Sequence, residues 1–250
     1  MREVAEEIIK SKFCIALTGA GISTESGIPD FRSKDGLWSR YDVNEYGYLH
    51  SFLKNPAKVW KMLAEMAELF EKVKPNPAHY ALAELEKLGL LKAVITQNID
   101  GLHQEVGNKK VIEFHGSFNT LTCLNCGKKY SKEKIDLKNL PPRCSCNGIL
   151  KPDIVFFGEP IPTKALNEAL ELANKSDLIL VIGTSCAVYP AAELPIIVKR
   201  KGGKIIEINR EESGLSYLAD YKLLGKAGEI LPKVVEEVKK LMKNRLQKIQ

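Results

Sequence analysis

The chain has 250 residues, 44% hydrophobic and 27% charged, which suits one large domain or a large and a small one and excludes a disordered or fibrous chain. The longest uncharged apolar run, residues 178–183 (LILVIG), falls far short of the roughly 20 residues of a membrane helix, and residues 1–12 lack the apolar core of an export signal, so a soluble cytoplasmic protein is expected. Of the formal net charge of +6, residues 233–250 carry +4, from six Lys/Arg against two Glu. There Val234, Val238, Leu241, Met242, Leu246 and Ile249 recur at helical spacing, so these charges are expected to solvate the outer face of a C-terminal helix. Nucleic-acid contact is therefore expected to be weak at most, or made through a substrate.

In chain order, residues 13–17 (FCIAL) form a short β-rich run that leads into Thr18-Gly19-Ala20-Gly21. Similar runs recur at 92–96 (KAVIT), 178–182 (LILVI) and 204–208 (KIIEI), and a weaker one at 154–157. None alternates strictly, the pattern of parallel strands covered by helices on both faces. Asn76-Pro77 starts a helix whose stripe of Ala81, Leu82, Leu85 and Leu88 stops at Gly89. A second helix covers 163–175, with Leu166, Ala169, Leu170 and Ala173 on one face. The alternation predicts an α/β fold with a doubly wound, Rossmann-like parallel sheet.

Two stretches break it. Residues 36–75 hold Trp38, Trp60 and a helical stripe of Val59, Leu63, Met66, Phe70 and Val73; residues 119–150 carry four cysteines and little that builds a core. The expected division is a dinucleotide-type domain of 1–35, 76–118 and 151–250, with a smaller inserted domain made of a helical module (36–75) and a zinc-binding module (119–150).

Cys123-Leu-Asn-Cys126 and, 17 residues later, Cys144-Ser-Cys146 offer four thiolates in two close pairs. In a chain without export features this predicts a tetrahedral zinc site, structural because four protein ligands leave no position open for water. The tight Cys-x-Cys pair is the unusual part. Gly19–Ser23 (GAGIS) follows the first strand and precedes a possible helix, where backbone amides can approach a pyrophosphate; an ordinary tight turn is the alternative. Other runs also end in polar or small groups: Gln97-Asn98-Ile99-Asp100, Gly183-Thr184-Ser185 and Asn209. Ligands of open α/β sheets bind at such carboxyl ends. His115, ending the run 111–114, is a candidate general base or a structural histidine.

GAGIS, GIPDFR (27–32), TQNIDGLH (96–103), His115-Gly116 and the cysteine quartet, in this order, resemble the sirtuin family over residues 18–228, most closely its small bacterial and archaeal members. The resemblance implies an NAD-dependent protein lysine deacylase with acyl-lysine proteins as substrates and one structural Zn2+. It implies cofactor contacts from Gly19, Ala20, Gly21 and Thr24 near the phosphates and from Arg32 near the ribose–phosphate. Phe31 is to cover the nicotinamide, Ile99 and Asp100 to hold its carboxamide, and Gln97 and Asn98 to meet its ribose. Gly183, Thr184 and Ser185 are to meet the adenosine ribose and phosphate, with Asn209 and Ala227 at the adenosine end. Val155, Phe157, Gly158 and Glu159, faced by Tyr189, are to pair with substrate peptide. His115 and Asn98 are the implied catalytic residues, His115 as base through the ribose hydroxyls.

Members preferring succinyl or malonyl lysine carry a Tyr-x-x-Arg pair where this chain has Leu63 and Met66. A buried succinate would lack its cation, so a deacetylase tolerant of longer apolar acyl chains is expected. The alternatives are mono-ADP-ribosylation by the same site, a non-catalytic zinc and nucleic-acid module, and a dehydrogenase.

Overall fold

The apolar runs assemble into two sheets in the computed structural model, which describes residues 1–247. In chain order the elements are α1 (Arg2–Lys10), β1 (Cys14–Thr18), α2 (Leu37–Arg40), α3 (Val43–Tyr46), α4 (Leu49–Lys54), α5 (Pro56–Lys72), α6 (Pro77–Lys87), β2 (Leu91–Thr96), α7 (Leu102–Glu105), β3 (Val111–Glu113), β4 (Gly116–Cys123), β5 (Lys129–Ser131), β6 (Leu150–Ile154), α8 (Thr163–Lys175), β7 (Leu178–Ile182), α9 (Glu193–Arg200), β8 (Lys204–Asn209), β9 (Tyr221–Leu224) and α10 (Ala227–Gln247). The chain packs as two units. One comprises Met1–Gly27, Lys74–Phe114 and the chain from Thr163 onward; the other comprises Ile28–Val73 and His115–Pro162.

The first unit holds a parallel sheet in the order β3-β2-β1-β7-β8-β9. Counting only these strands, this is the Rossmann order, and the direction of winding reverses between β1 and β7. β1 and β7 are buried at every position. Cys14 and Ala16 of β1 join a core with Val4 and Ile8 of α1, Leu82 and Leu85 of α6 and Val234 and Val238 of α10. Ile15 and Leu17, pointing the other way, are equally buried, while α8 and α9 pack on β3, β7 and β8. Burial on both faces is why these strands read as continuous apolar runs.

α6 begins as expected: the Asn76 side chain accepts the Ala78 N–H at 2.9 Å, and His79 Nδ1 accepts the Asn76 N–H at 3.3 Å, a reciprocal cap. α8 spans the predicted 163–175. The C-terminal stripe also packs inward through Val234, Val238, Leu241 and Met242; Ile249 lies outside the described residues, as does the side chain of Leu246. No helix among the described residues is long and apolar enough to cross a membrane.

Three expectations need correction. The weak run 154–157 adds no strand to the parallel sheet. Its first residue ends β6 in the antiparallel sheet, and beyond it the Val155 and Phe157 N–H groups are drawn to the His115 and Gly47 carbonyls. No α-helix follows the glycine loop; residues 20–22 and 24–26 are single 3-10 turns. The sequence boundaries at 35/36, 118/119 and 150/151 also differ from the packing boundaries: β4 and β6 pair with each other and carry their flanks into the second unit, and the Asp30 and Phe31 carbonyls bond the Leu37 and Trp38 N–H groups of α2.

That unit combines α2–α5 with the sheet β5-β4-β6. Trp60 of α5 is fully buried, its indole N–H donating to the Leu150 carbonyl of β6 at 2.9 Å. The Phe118 ring of β4 meets Trp60 edge-on at 6.2 Å and Phe70 at 6.3 Å. The helical and cysteine-bearing stretches thus share one core, so the cysteine segment does not rely on metal alone for its fold.

Candidate active site and metal centre

In the first unit, hydrogen bonds lock the ends of β1, β2, β7 and β8 together. The Gly19 N–H donates to Ile182 O and the Gly21 N–H to Gly183 O, at 3.0 and 2.8 Å. A Cβ on Gly21 would stand 2.8 Å from Gly183 Cα, and one on Gly183 would stand 2.6 Å from the Gly21 carbonyl carbon. Only glycine fits on either side of this contact, which lies at the switch point of the sheet. The amides of Gly19, Gly21, Ile22 and Ser23 all bond internally. No α-helix N-terminus stands behind them, since residues 20–22 and 24–26 are 3-10 turns.

After β2, Gln97 Nε2 donates to Thr184 Oγ1 at 2.9 Å, and Asn98 Nδ2 donates to Gly19 O at 3.2 Å and Ser23 Oγ at 3.1 Å. Ser23 Oγ in turn donates to Asp100 Oδ2 at 2.7 Å, while the Leu102 N–H holds Oδ1 at 3.0 Å. Burial raises the Asp100 pKa, and the bonds from Leu102 and Ser23 only partly oppose it. Asn98 is buried, and its Oδ1 has no protein partner. A buried acceptor left open beside Ser23 and Asp100 suits a hydroxyl donor such as a sugar. After β8, Asn209 Oδ1 accepts the Thr184 N–H at 2.9 Å, and its Nδ2 donates to Thr184 O at 3.0 Å and Glu207 Oε1 at 2.8 Å.

Thr24 bonds the Gly21 carbonyl through Oγ1 at 3.0 Å. Ala20 and Ile99 are half-buried and Ser185 is exposed. Ala227 is buried at the start of α10, where the Gly228 N–H is already capped by Glu25 Oε2 at 2.7 Å. Tyr189 is 64% exposed. The Gly19–Gly21 turn, whose one side chain is the Ala20 methyl group, and the unpartnered Asn98 acceptor fit a dinucleotide.

Beneath this cluster His103 Nε2 pairs with Thr18 Oγ1 at 3.0 Å, and the His79 ring lies 4.9 Å from that of His103. Burial, and for His79 the neighbouring His103 as well, lowers their pKa values to about 3 for His79 and about 4 for His103. Both are structural and neutral near pH 7.

In the second unit, Asp30 organises the loop that carries Phe31 and Arg32: its Oδ1 accepts the Arg32 and Ser33 N–H groups, and its carbonyl accepts that of Leu37. Phe31 stacks at a tilt on Trp38 (5.5 Å), Trp38 on Phe157 (6.5 Å) and Phe157 on Tyr48 (5.4 Å), all half-buried. This is an apolar aromatic surface. Val155, Phe156, Phe157 and Glu159 spend their N–H groups on His115 O, Glu159 Oε2, Gly47 O and Phe156 O. Gly158 is exposed, and Lys151 Nζ pairs with Glu159 at 3.1 Å. His115 is half-buried, its carbonyl tied to Val155, in the residue after Phe114, whose N–H bonds Thr96 O at the β2 end.

Also in this unit, the sulfurs of Cys123, Cys126, Cys144 and Cys146 all lie within 4.8 Å of one another, with Cys123–Cys146 and Cys126–Cys144 at 3.6 Å. Thiolates about 2.3 Å from a tetrahedral zinc stand about 3.8 Å apart, so the set fits that ion. The tight Cys-x-Cys turn closes because a Cβ on Gly148 would fall 2.6 Å from Cys123 Sγ, and Tyr130 OH sits 3.0 Å from Cys144 Sγ.

The residues missed in the sequence are the supports: Ser23, Trp38, Tyr48 and Glu207. Ser23 lies in the GAGIS motif and Trp38 in the helical stretch, but neither position carries a local sign of its role. Nothing local marks the other two.

A family model described as the Sir2 family matches residues 19–190. The NAD-dependent protein deacylase of Pyrococcus abyssi is 50% identical over 246 residues, covering 96% of this chain and 98% of its own length. Among solved structures, a complex of a Sir2 homologue with NAD superposes with a TM-score of 0.90 at 46% identity, covering 96% of this chain and 94% of the other. A Sir2 protein bound to a myristoylated histone peptide gives 0.84 at 44% identity, covering 97% and 98%.

Proposed function

The chain belongs to the Sir2 family and is an NAD-dependent protein lysine deacylase, and we propose that Asn98 and His115 carry its chemistry. NAD, when bound, would supply a ribose carbon that exchanges nicotinamide for the acyl oxygen and a neighbouring hydroxyl that takes the acyl group, one water being consumed as the lysine amine leaves. Gly19, Ala20, Gly21 and Thr24 border the phosphates, where the interlocked turn leaves no side chain in the way. Gln97 and Asn98 meet the nicotinamide ribose, the open Asn98 Oδ1 accepting a hydroxyl. Ile99 and Asp100 hold the carboxamide. Gly183, Thr184 and Ser185 take the adenosine ribose and phosphate, with Ala227 at that end. Asn209 acts there through Thr184, since both its amide protons are already committed.

Phe31, backed by Trp38, covers the nicotinamide and keeps water out, and Arg32 reaches the ribose–phosphate region. His115 accepts a proton from a ribose hydroxyl, so that the hydroxyl can attack the captured acyl group. An amide oxygen is a weak nucleophile, so the residues work mainly by positioning. Val155, Phe157, Gly158, Glu159 and Tyr189 pair with the substrate backbone. The four thiolates hold zinc as a structural ion, and metal-binding thiols suit a reducing compartment such as the cytoplasm. Lys239 and Lys240 of the basic tail pair with Glu84, Glu236 and Glu237, which supports a solvated helix face over a nucleic-acid contact.

The open acceptor of Asn98 beside Ser23 and Asp100 is the observation that carries this reading. The test is nicotinamide release from NAD with and without acetyl-lysine peptide. His115→Ala is expected to lose about 100-fold or more of the rate while its circular dichroism is unchanged. An undiminished rate refutes the assignment.

A further inference from the structure

Glu207 is a carboxylate in the middle of a hydrophobic strand, 1% exposed, two residues before Asn209 and hence on the same face of β8. Among the described residues no cation forms an ion pair with it: Lys222, its register neighbour on β9, feels its charge but pairs with Glu212 at 2.6 Å. Its Oε1 accepts from Asn209 Nδ2 at 2.8 Å and from the Ser213 N–H at 3.0 Å, and its Oε2 accepts from Ser216 Oγ at 2.5 Å. Burial pushes its pKa up, but the bonds from Ser216, Ser213 and Asn209 outweigh that and leave it below the usual glutamate range. A hydrocarbon would fill this space at less cost, so the carboxylate must be kept for what it orients.

Two of its bonds hold the 213–216 turn, and the third orients the Asn209 amide. With one Asn209 proton on Glu207 and the other on Thr184 O, the Asn209 Oδ1 is aimed at the Thr184 N–H, clamping both backbone groups of Thr184 from the neighbouring strand end. Thr184 Oγ1 in turn receives Gln97 Nε2 and, at 3.3 Å, the Cys186 N–H. The bonds run from β8 to β7 to β2, and without Glu207 the Asn209 amide is held by its two bonds to Thr184 alone.

We infer that Glu207 is a positioning residue for NAD, acting through Asn209 to fix the Gly183–Ser185 turn. This rests on the proposed assignment of that turn to the adenosine end of the dinucleotide. Steady-state constants for both substrates are to be measured on the zinc-loaded full chain. Glu207→Ala is expected to raise KM for NAD about tenfold, the effect of losing one bond to a charged group, with peptide KM and kcat within about twofold. Glu207→Gln, which keeps an acceptor opposite Asn209, should recover most of the loss.

A purely structural glutamate would move all three constants or none, and either result overturns the inference. Asn209→Ala separates the layers. If it raises KM for NAD while Glu207→Ala does not, Glu207 has no such role; if it leaves KM for NAD unchanged, the adenosine assignment itself fails. Should Glu207→Ala not fold, Glu207→Asp keeps the charge but withdraws it from Asn209 by one methylene, and the same constants decide.

Discussion

Leu63 and Met66, which stand where the resemblance puts the Tyr-x-x-Arg pair of succinyl-preferring members, are proposed to bear on which acyl groups are accepted. Leu63 is 1% exposed in the core of the second unit and Met66 is half-buried. Neither supplies a cation, and an unpaired carboxylate is expensive to bury. Desuccinylation is therefore expected at about one-hundredth of the deacetylation rate or less, and myristoyl lysine to be accepted, as read by product mass spectrometry; succinyl and acetyl rates that match would refute this. His79 and His103 make a second residue-scale prediction. Their folded pKa values of about 3 and 4 lie below the unfolded value of about 6.5. Between these limits the unfolded chain binds more protons, so their contribution to stability is full above about pH 6.5 and drains away as pH falls toward 4 and then 3. Denaturant midpoints at pH 7 and pH 5 should differ, and less so in a His79→Gln, His103→Gln variant. An equal difference in both proteins would contradict it.

Among the elements, the turn between β7 and α9 is the one proposed to meet the adenosine end of NAD. Gly183 has φ +59° and packs against the backbone of Gly21 and Ile22. Gly183→Ala combines left-handed strain with a clash against backbone that cannot swing aside. It is expected to cost about 2 kcal/mol in denaturant titration and to raise KM for NAD. Wild-type stability and KM in this variant would mean that the close approach does not matter. The predicted strands and helices form where both faces of an element are apolar or a cap is written beside the helix, as at Asn76-Pro77. The exceptions have local causes. α1 hides Val4, Ala5 and Ile8 among charges, β9 is a four-residue strand at the sheet edge with alternating exposure, and the run 154–157 lost its strand pairing to backbone acceptors elsewhere in its unit.

At the scale of the whole molecule, the two units have separate sources of stability. The first relies on the sheet and its helices; the second joins the Trp60–Phe118 core to the four-cysteine site. Chelating the zinc is expected to expose the amides of residues 123–148 to hydrogen exchange while those of β1 and β7 stay protected. Uniform loss of protection across both units would show instead that they unfold as one. Because Trp60 also ties α5 to β6, partial protection of β4 and β6 should survive chelation.

The residues alone determined the parallel sheet, the four-thiolate set and the types of group at the strand ends, because burial pattern, ligand chemistry and caps are written within a few positions of one another. The tertiary structure decided which of those groups meet. Asn98 bonds a serine 75 positions away, and Gly228 is capped by a glutamate 203 positions away. Such pairs depend on strand order and on the close passage of two glycine turns. A side chain's hydrogen-bonding partner is a property of where the backbone brings it, and no local preference encodes that; hence Asn209, placed by its motif at the nucleotide, spends its amide on Thr184 and Glu207 instead.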